Sequence, residues 1–279
     1  MKETLKMICW DVQHGNAMLI KTPDDKTIVV DLGRGSYISN DQKFSPIKHA
    51  KIKKIDLLII THPHRDHIED ILSLNGIEVS SIILPSHLRK KDFYPEDIRT
   101  SDMPIFDKYW KLSKSSDAMN NRRFGRVHFS FFCHVQGGAN LNNHSVVTIM
   151  TYLNHRVVLM GDNERSSQKF LLDNDRFHRA SKHCDVLLAP HHGRKSGFLK
   201  GMVDHLNPKI TIVSDGRIKE TSVRTKYSQA SSGLKVDHNG RNRRDRNALS
   251  TNRDGVIIVE IGTYRNNPRM RVSTKSSKA

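Results

Sequence analysis

The stretch IDLLIITHPHRDHIED, Ile55 to Asp70, joins a continuous apolar run to three histidines and an aspartate that fall within six residues: His62, His64, Asp66 and His67. An unbroken apolar run of this length predicts a strand buried on both faces. Histidines two apart at its end can both turn toward one cation. Asp66 and His67, where a helix would begin, can serve a second cation beside the first. Neutral imidazole and carboxylate are the ligands that zinc, manganese or iron accept in catalytic sites. Isolated histidines are usually surface or satisfied core residues, but four ligand-type side chains at the end of a buried strand have no comparable structural explanation.

A dinuclear site needs further ligands, and two other strand ends offer them. VVLMGDNE, Val157 to Glu164, sets Asp162 after an apolar run and a glycine, where a carboxylate can give one oxygen to each of two cations. DVLLAPHHGRKSG, Asp185 to Gly197, sets His191 and His192 in the same context. One imidazole of that pair can coordinate while its neighbour orients substrate or donates a proton, and the residues alone leave open which does which.

Around these segments the pattern is β-rich and interrupted by helices. LKMICWDV, NAMLIKT and KTIVVDLG read as strands, and IEDILSLNG has helical apolar spacing with a glycine stop at Gly76. Residues 87–125 loosen into a charged connecting or inserted segment, helical around MPIFDKYWKLSK. A second β-rich half follows, through RVHFSFFCHV, SVVTIMTYL, HRVVLMGD, CDVLLAP, KITIVSD and GVIIVEIG. Residues 216–247, rich in Lys, Arg, Ser, Thr and Asn, predict a long basic surface loop, and the tail 272–279 is expected to fray. Strands interleaved with helices in two similar halves predict one α/β domain over residues 1–279, two sheets faced by outer helices.

The formal net charge is +17, with basic residues clustered at Lys48–Lys54, Leu88–Lys91, Asn120–Arg126 and Arg241–Arg246. Lysine and arginine gain free energy by releasing condensed counterions from a phosphate backbone, so the charge points to a nucleic acid or another polyanion. Arg122, Arg123, Lys195, Arg241, Arg243 and Arg244 are the candidate contacts. The apolar runs are too short to span a bilayer, and the N-terminus does not read as a secretory signal. Three scattered cysteines, Cys9, Cys133 and Cys184, argue against a disulfide framework and for a reducing, cytoplasmic compartment.

Taken together, the motifs resemble the metallo-β-lactamase superfamily, and within it the hydrolase domain of ComEC-type competence proteins. DVQHGNAMLIKT resembles the opening D-V-G-Q-G-D-A strand pair and IVVDLG the I-D-x-G. THPHRDH matches H-x-H-x-D-H, NNHSVV the N-x-x-S-x-V strand, LMGD the T-G-D, LAPHHGRKS the P-H-H-G-S, and STNRDGVIIV the closing strand pair. The resemblance implies an αββα sandwich holding two divalent cations, zinc or manganese. By position, His62 and His64 would hold one cation, Asp66 and His67 the other, Asp162 would bridge, and His191 or His192 would complete the second site. Asp31 would support the metal loops, and Asn142 resembles the family's asparagine near the site. His144, one residue before Ser145, stands out of register with the family's third histidine and is open as a ligand, a substrate contact or a surface residue. Gln13, His14 and Asn16 depart from the pattern, standing where it has glycine, glutamine and aspartate.

Two cations about 3.5–4 Å apart can activate a shared water and clamp attacking and leaving oxygens, with Asp66, His191 and His192 as the expected catalytic residues. The spare histidine, Lys195 or Ser196 could stabilise developing negative charge. The ComEC-type resemblance implies DNA degradation, and the charge favours a nuclease or phosphodiesterase acting on DNA or RNA. The alternatives are a hydrolase of small phosphodiesters or other esters, and a metal-stabilised binding module in a multiprotein assembly such as a phage-defence system.

Overall fold

A computed structural model describes residues 1–36, 43–94, 98–216, 222–239 and 241–276. In chain order its main strands are β1 (Lys2–Cys9), β2 (Ala17–Lys21), β3 (Thr27–Leu32), β4 (Leu57–Ile59) and β5 (Ile82–Ile83). Then come β6 (Arg122–Phe124), β7 (Val127–Phe132), β8 (Val147–Tyr152), β9 (His155–Leu159), β10 (Val186–Leu188) and β11 (Ile210–Val213). The last are β12 (Leu234–His238), β13 (Arg241–Arg246), β14 (Ala248–Ser250), β15 (Val256–Tyr264) and β16 (Asn267–Lys275). They form one sheet ordered β13-β12-β16-β15-β1-β2-β3-β4-β5 and a second ordered β6-β7-β8-β9-β10-β11-β14. Parallel pairing joins β3, β4 and β5 on one side of the first sheet and β9, β10, β11 and β14 on one side of the second, and β12 also runs parallel to β16 on the opposite side of the first sheet.

Period-two alternation explains the layering. Met7, Ile20, Val30, Phe129, Met150, Leu188 and Val259 point into one core between the sheets. Strands covered on both faces carry apolar residues at successive positions, as the run through Ile55 predicts: Leu57 and Ile59 enter the central core, whereas Leu58 and Ile60 face an outer layer. That outer layer is closed by the helix Met103–Ser113 through Ile105, Phe106 and Tyr109, so the segment 87–125 contributes part of the cover over the first sheet. On the second sheet Phe177, Met202, Leu206 and Tyr227, from three helices, pack over Val158 and Leu187. The result is the expected four-layer α/β sandwich.

Two sequence expectations are corrected. The segment 216–247 is no structureless loop: it holds the helix Arg224–Gln229 and the strands β12 and β13, while residues 217–221 lie outside the described residues. Val236 enters the core while Lys235 stays exposed, and charged residues suit β13 because it is an edge strand, paired on one side only. The tail does not fray at Val272: Val272 and Thr274 are buried in β16, between β15 and β12, and residues 277–279 lie outside the described residues. The cysteines are all free, and burial pushes the Cys9 thiol up to about 12. Among the described residues, no helix is long and apolar enough to cross a membrane.

Candidate metal centre

The ends of β3, β4, β9, β10 and β11 meet at one rim of the sandwich, and each delivers a polar side chain there. After β4 the chain runs through Thr61 and His62 to a short helix, Arg65–Ile68, with His64 at its N-cap. Successive helical residues point about 100° apart, so Asp66 and His67 leave this turn in different directions. Asp162 follows β9, with its backbone N–H donating to Ser145 Oγ at 3.0 Å. His191 and His192 follow β10 with left-handed backbone (φ 48° and 52°), a conformation that turns the two rings apart.

Asp31, at the end of β3, organises the buried part. Its carboxylate accepts from the Thr61 backbone N–H at 2.7 Å and from Asn16 Nδ2 at 2.8 Å, and it faces His67 Nδ1 at 2.8 Å. Asp31 is itself in the left-handed region at φ 57°, and its three partners hold that strained backbone in place. A carboxylate can only accept here, so His67 carries its proton on Nδ1 and turns Nε2 inward. His192 is set the same way, with Nδ1 facing the Ser214 carbonyl at 2.9 Å. The two Nε2 atoms then meet at 3.3 Å. Asp162 closes on both, 3.3 Å from His67 and 3.4 Å from His192, and Asp66 Oδ2 lies 3.2 Å from His192 Nε2. His62 Nε2 is 3.8 Å from Asp162 and 2.9 Å from His64 Nδ1.

Converging imidazole lone pairs and carboxylates, all near the floor of the rim, form a donor set suited to divalent cations. The ligand atoms fall into two groups, His62–His67–Asp162 and His14–Asp66–His192. Burial alone would lower the His67 imidazole, but Asp162, Asp31 and Asp66 outweigh it and raise its pKa well above the ordinary value. His192, under the same opposition, is raised to about 10. Burial, with His67 beside it, drives His62 well below the usual range. Burial would raise both carboxylates, Asp66 and Asp162, but the neighbouring imidazoles reverse it and hold them low.

The sequence-predicted residues divide accordingly. His62, His64, Asp66, His67, Asp162 and His192 are brought together. His67 Nε2 lies 3.3 Å from Asp162 and 4.0 Å from Asp66, at the junction of the two groups. His191 does not join: its Nδ1 faces Ser196 Oγ at 2.8 Å and Glu164 Oε1 at 3.0 Å, so His192 takes the place given to either. His144 also stays apart, although it is buried. Its Nε2 faces the Gly138 carbonyl at 2.8 Å and its Nδ1 faces His87 Nε2 at 2.9 Å, leaving neither ring nitrogen for the cluster. Asn142 donates to Glu164 at 3.2 Å, one residue removed from His191. Arg122 and Arg123 bond to carbonyls of their own loop on edge strand β6. Arg243, on β13, holds Asp237 at 2.8 Å, Arg244 is exposed on that strand, and the side chain of Arg241 lies outside the described residues. Lys195 is exposed beyond His192.

Four contributors were not identified from sequence: His14, Thr61, Glu164 and Ser214. His14 carried a signal, as a ligand-type residue in a loop that departs from the family pattern. Thr61, Glu164 and Ser214 act through hydrogen bonds to residues distant in sequence, for which spacing gives no cue.

No curated protein sequence matches the chain. Solved structures that resemble it include CmlA, a diiron β-hydroxylase from Streptomyces venezuelae, at 15% identity over 77% of this chain with a TM-score of 0.47. The chain spans 45% of that protein's length. A diphosphatase of the PhnP family is similar at 12% identity over 77% of both chains, with a TM-score of 0.42. AidC, a dizinc quorum-quenching lactonase, is similar at 19% identity over 53% of this chain and 55% of its own, with a TM-score of 0.34. The sequence profile of the metallo-beta-lactamase superfamily matches residues 10–200, more than half of the chain and the span that carries the cluster from His14 to His192. The chain belongs to the metallo-beta-lactamase superfamily.

Proposed function

We propose that the protein is a two-cation phosphodiesterase whose substrates are nucleic acids, with zinc or manganese held by His62, His67 and Asp162 and by Asp66 and His192. Divalent cations held there would supply an activated water and neutralise charge on the attacked group. The chain's own residues supply the rest. Asp31 and Ser214 fix the His67 and His192 tautomers, so the ligand geometry is set before anything binds. Deep burial of His62 and His67 excludes bulk water from the floor of the site. His191, held through Nδ1 by Ser196 and Glu164 at the rim, presents Nε2 beside Arg194 to orient substrate or accept a proton.

The observation that carries the choice of substrate is positive charge, both at the mouth and beyond it. The Arg194 guanidinium lies 3.1 Å from His14 Nε2 and 3.5 Å from His191 Nε2, a fixed cation between two site histidines. Away from the rim, the hydrophobic outer layer covers the β2–β5 half of the first sheet. The other half carries Lys6, Lys235, Arg243, Arg269, Arg271 and Lys275 beside the acidic Asp237 and Glu260, lining clefts of about 420, 550 and 370 Å³. A sheet face of this charge complements a phosphate backbone. A lactam or lactone would gain little from it.

The test is incubation with single- and double-stranded DNA and RNA in Mn²⁺ or Zn²⁺, beside Asp66→Ala and a chelator control. Cleavage lost in both controls is expected. Intact polymers together with hydrolysis of a small phosphodiester would overturn the nucleic-acid substrate, and salt-dependent binding without any hydrolysis would favour a binding module.

A further inference from the structure

One imidazole that departs from the family pattern in the opening loop faces the second ligand group. His14 follows β1, and its Nε2 is 3.5 Å from Asp66 Oδ2. Its ring lies 4.7 Å from that of His192, tilted by 43°. Ligand atoms of His14, Asp66 and His192 all fall within 4.8 Å of one another.

The backbone around His14 is built to hold it there. Gly15 has φ +144°, and a Cβ at that position would lie 2.6 Å from the Asp66 carbonyl oxygen, so only glycine lets the loop approach the metal-binding turn this closely. The Asn16 N–H donates to the same carbonyl at 3.3 Å. Ser214 joins the two sides: its Oγ donates to the Gly15 carbonyl at 2.7 Å, and its own carbonyl receives His192 Nδ1 at 2.9 Å. One residue therefore fixes both the His192 ring and the backbone beside His14. Arg194 Nη2 donates to His14 Nε2 at 3.1 Å. Because a guanidinium only donates, that Nε2 presents a lone pair, and the arginine supplies positive charge beside Asp66 in the cation-free chain.

We infer that His14 is a ligand of the cation held by Asp66 and His192, its Nε2 exchanging the Arg194 hydrogen bond for the metal. This rests on the two-cation reading of the cluster and is independent of whether the substrate is a nucleic acid. On loading, Arg194 would turn from His14 toward the anionic group of the substrate.

The test is stepwise titration of metal-free, full-length protein with Co²⁺, read by visible absorption and chelator competition, for wild type, His14→Gln and His14→Ala. Both variants are expected to keep the affinity of the tighter step. Both should weaken the other by about tenfold or more, the scale at which even supporting partners of a metal site act, with a matching change in the Co²⁺ spectrum. Two wild-type-like steps and an unchanged spectrum would overturn the inference. Should the variants fail to fold, nitrogen NMR of the wild-type chain loaded with ¹¹³Cd²⁺ decides: a one-bond coupling to His14 Nε2 supports ligation, and its absence refutes it. A wild-type chain that takes up a single cation would overturn the two-cation reading and His14 ligation together.

Discussion

Among the described residues, the rim histidines contrast with the buried His144 and its exposed neighbour His87, and the rim set is the one arranged to hold metal. In the rim cluster, His67 and His192 each commit Nδ1 to an acceptor, Asp31 and the Ser214 carbonyl, so both Nε2 atoms face inward with Asp66 and Asp162. In the other pair, His144 places one ring nitrogen against the Gly138 carbonyl and the other against His87. His144 is buried like His67 and His192, and the partners of the other nitrogen make the difference. A histidine becomes a ligand when one nitrogen is anchored and the other converges with carboxylates. It becomes structural when both are consumed.

The sharpest way to break this contrast is at Asp162, whose carboxylate approaches His62, His67 and His192 together. Asp162→Asn is expected to lower kcat/KM by about 10³-fold, the upper range for losing a preorganised electrostatic group, and to weaken both cations in a titration. Wild-type turnover would mean that the cluster does no chemistry.

A smaller effect separates the histidine pair. His192→Ala should weaken cation binding by about 100-fold and His191→Ala by less than tenfold, while His191→Ala changes the pH dependence of kcat. Equal losses of affinity would undo the assignment of His192 as the ligand. Asp31→Asn, which touches no cation, should still lower affinity by about tenfold because the His67 ring loses its anchor.

Protons sharpen the comparison further. The His192 pKa is raised to about 10, against an ordinary 6.5. In the cation-free protein its contribution to stability is therefore complete below pH 6.5 and is lost as pH rises through about 10. His87 behaves oppositely: burial, aided by His144, lowers its pKa, so its effect is to cost stability as pH falls below 6.5. Scanning calorimetry should show the metal-free Tm falling between pH 6.5 and 10 and the cation-loaded Tm nearly flat there, because loading displaces those protons. The smallest expected effect is at His144→Gln: about 1 kcal/mol of stability from a lost buried hydrogen bond, with cation affinity unchanged in the same titration.

Much of this was legible in the sequence because local periodicity and ligand chemistry coincide. The run Leu57–Ile60 alternates between two apolar layers, so its continuity predicted a doubly covered strand. His62, Asp66, His67 and Asp162 follow strand ends, and such positions stay close in space when the strands share a rim. The arrangement of the pair His191–His192 was not legible, since left-handed backbone at both residues decides which ring points inward. The strand β13 was hidden because an edge strand carries charge that sequence reading assigns to loops, and β12 beside it because it buries few apolar residues. His144 shows the limit of ligand counting: nothing local reveals that His87, 57 residues earlier, occupies its second nitrogen.

Two cations at the rim are the premise of every step above, and anomalous diffraction from crystals grown with Zn²⁺ or Mn²⁺ tests them most directly. Two peaks are expected, one bounded by His62, His67 and Asp162 and the other by Asp66 and His192, with none beside His144. A single peak, or density at the His87–His144 pair in place of the rim, would contradict the two-cation centre.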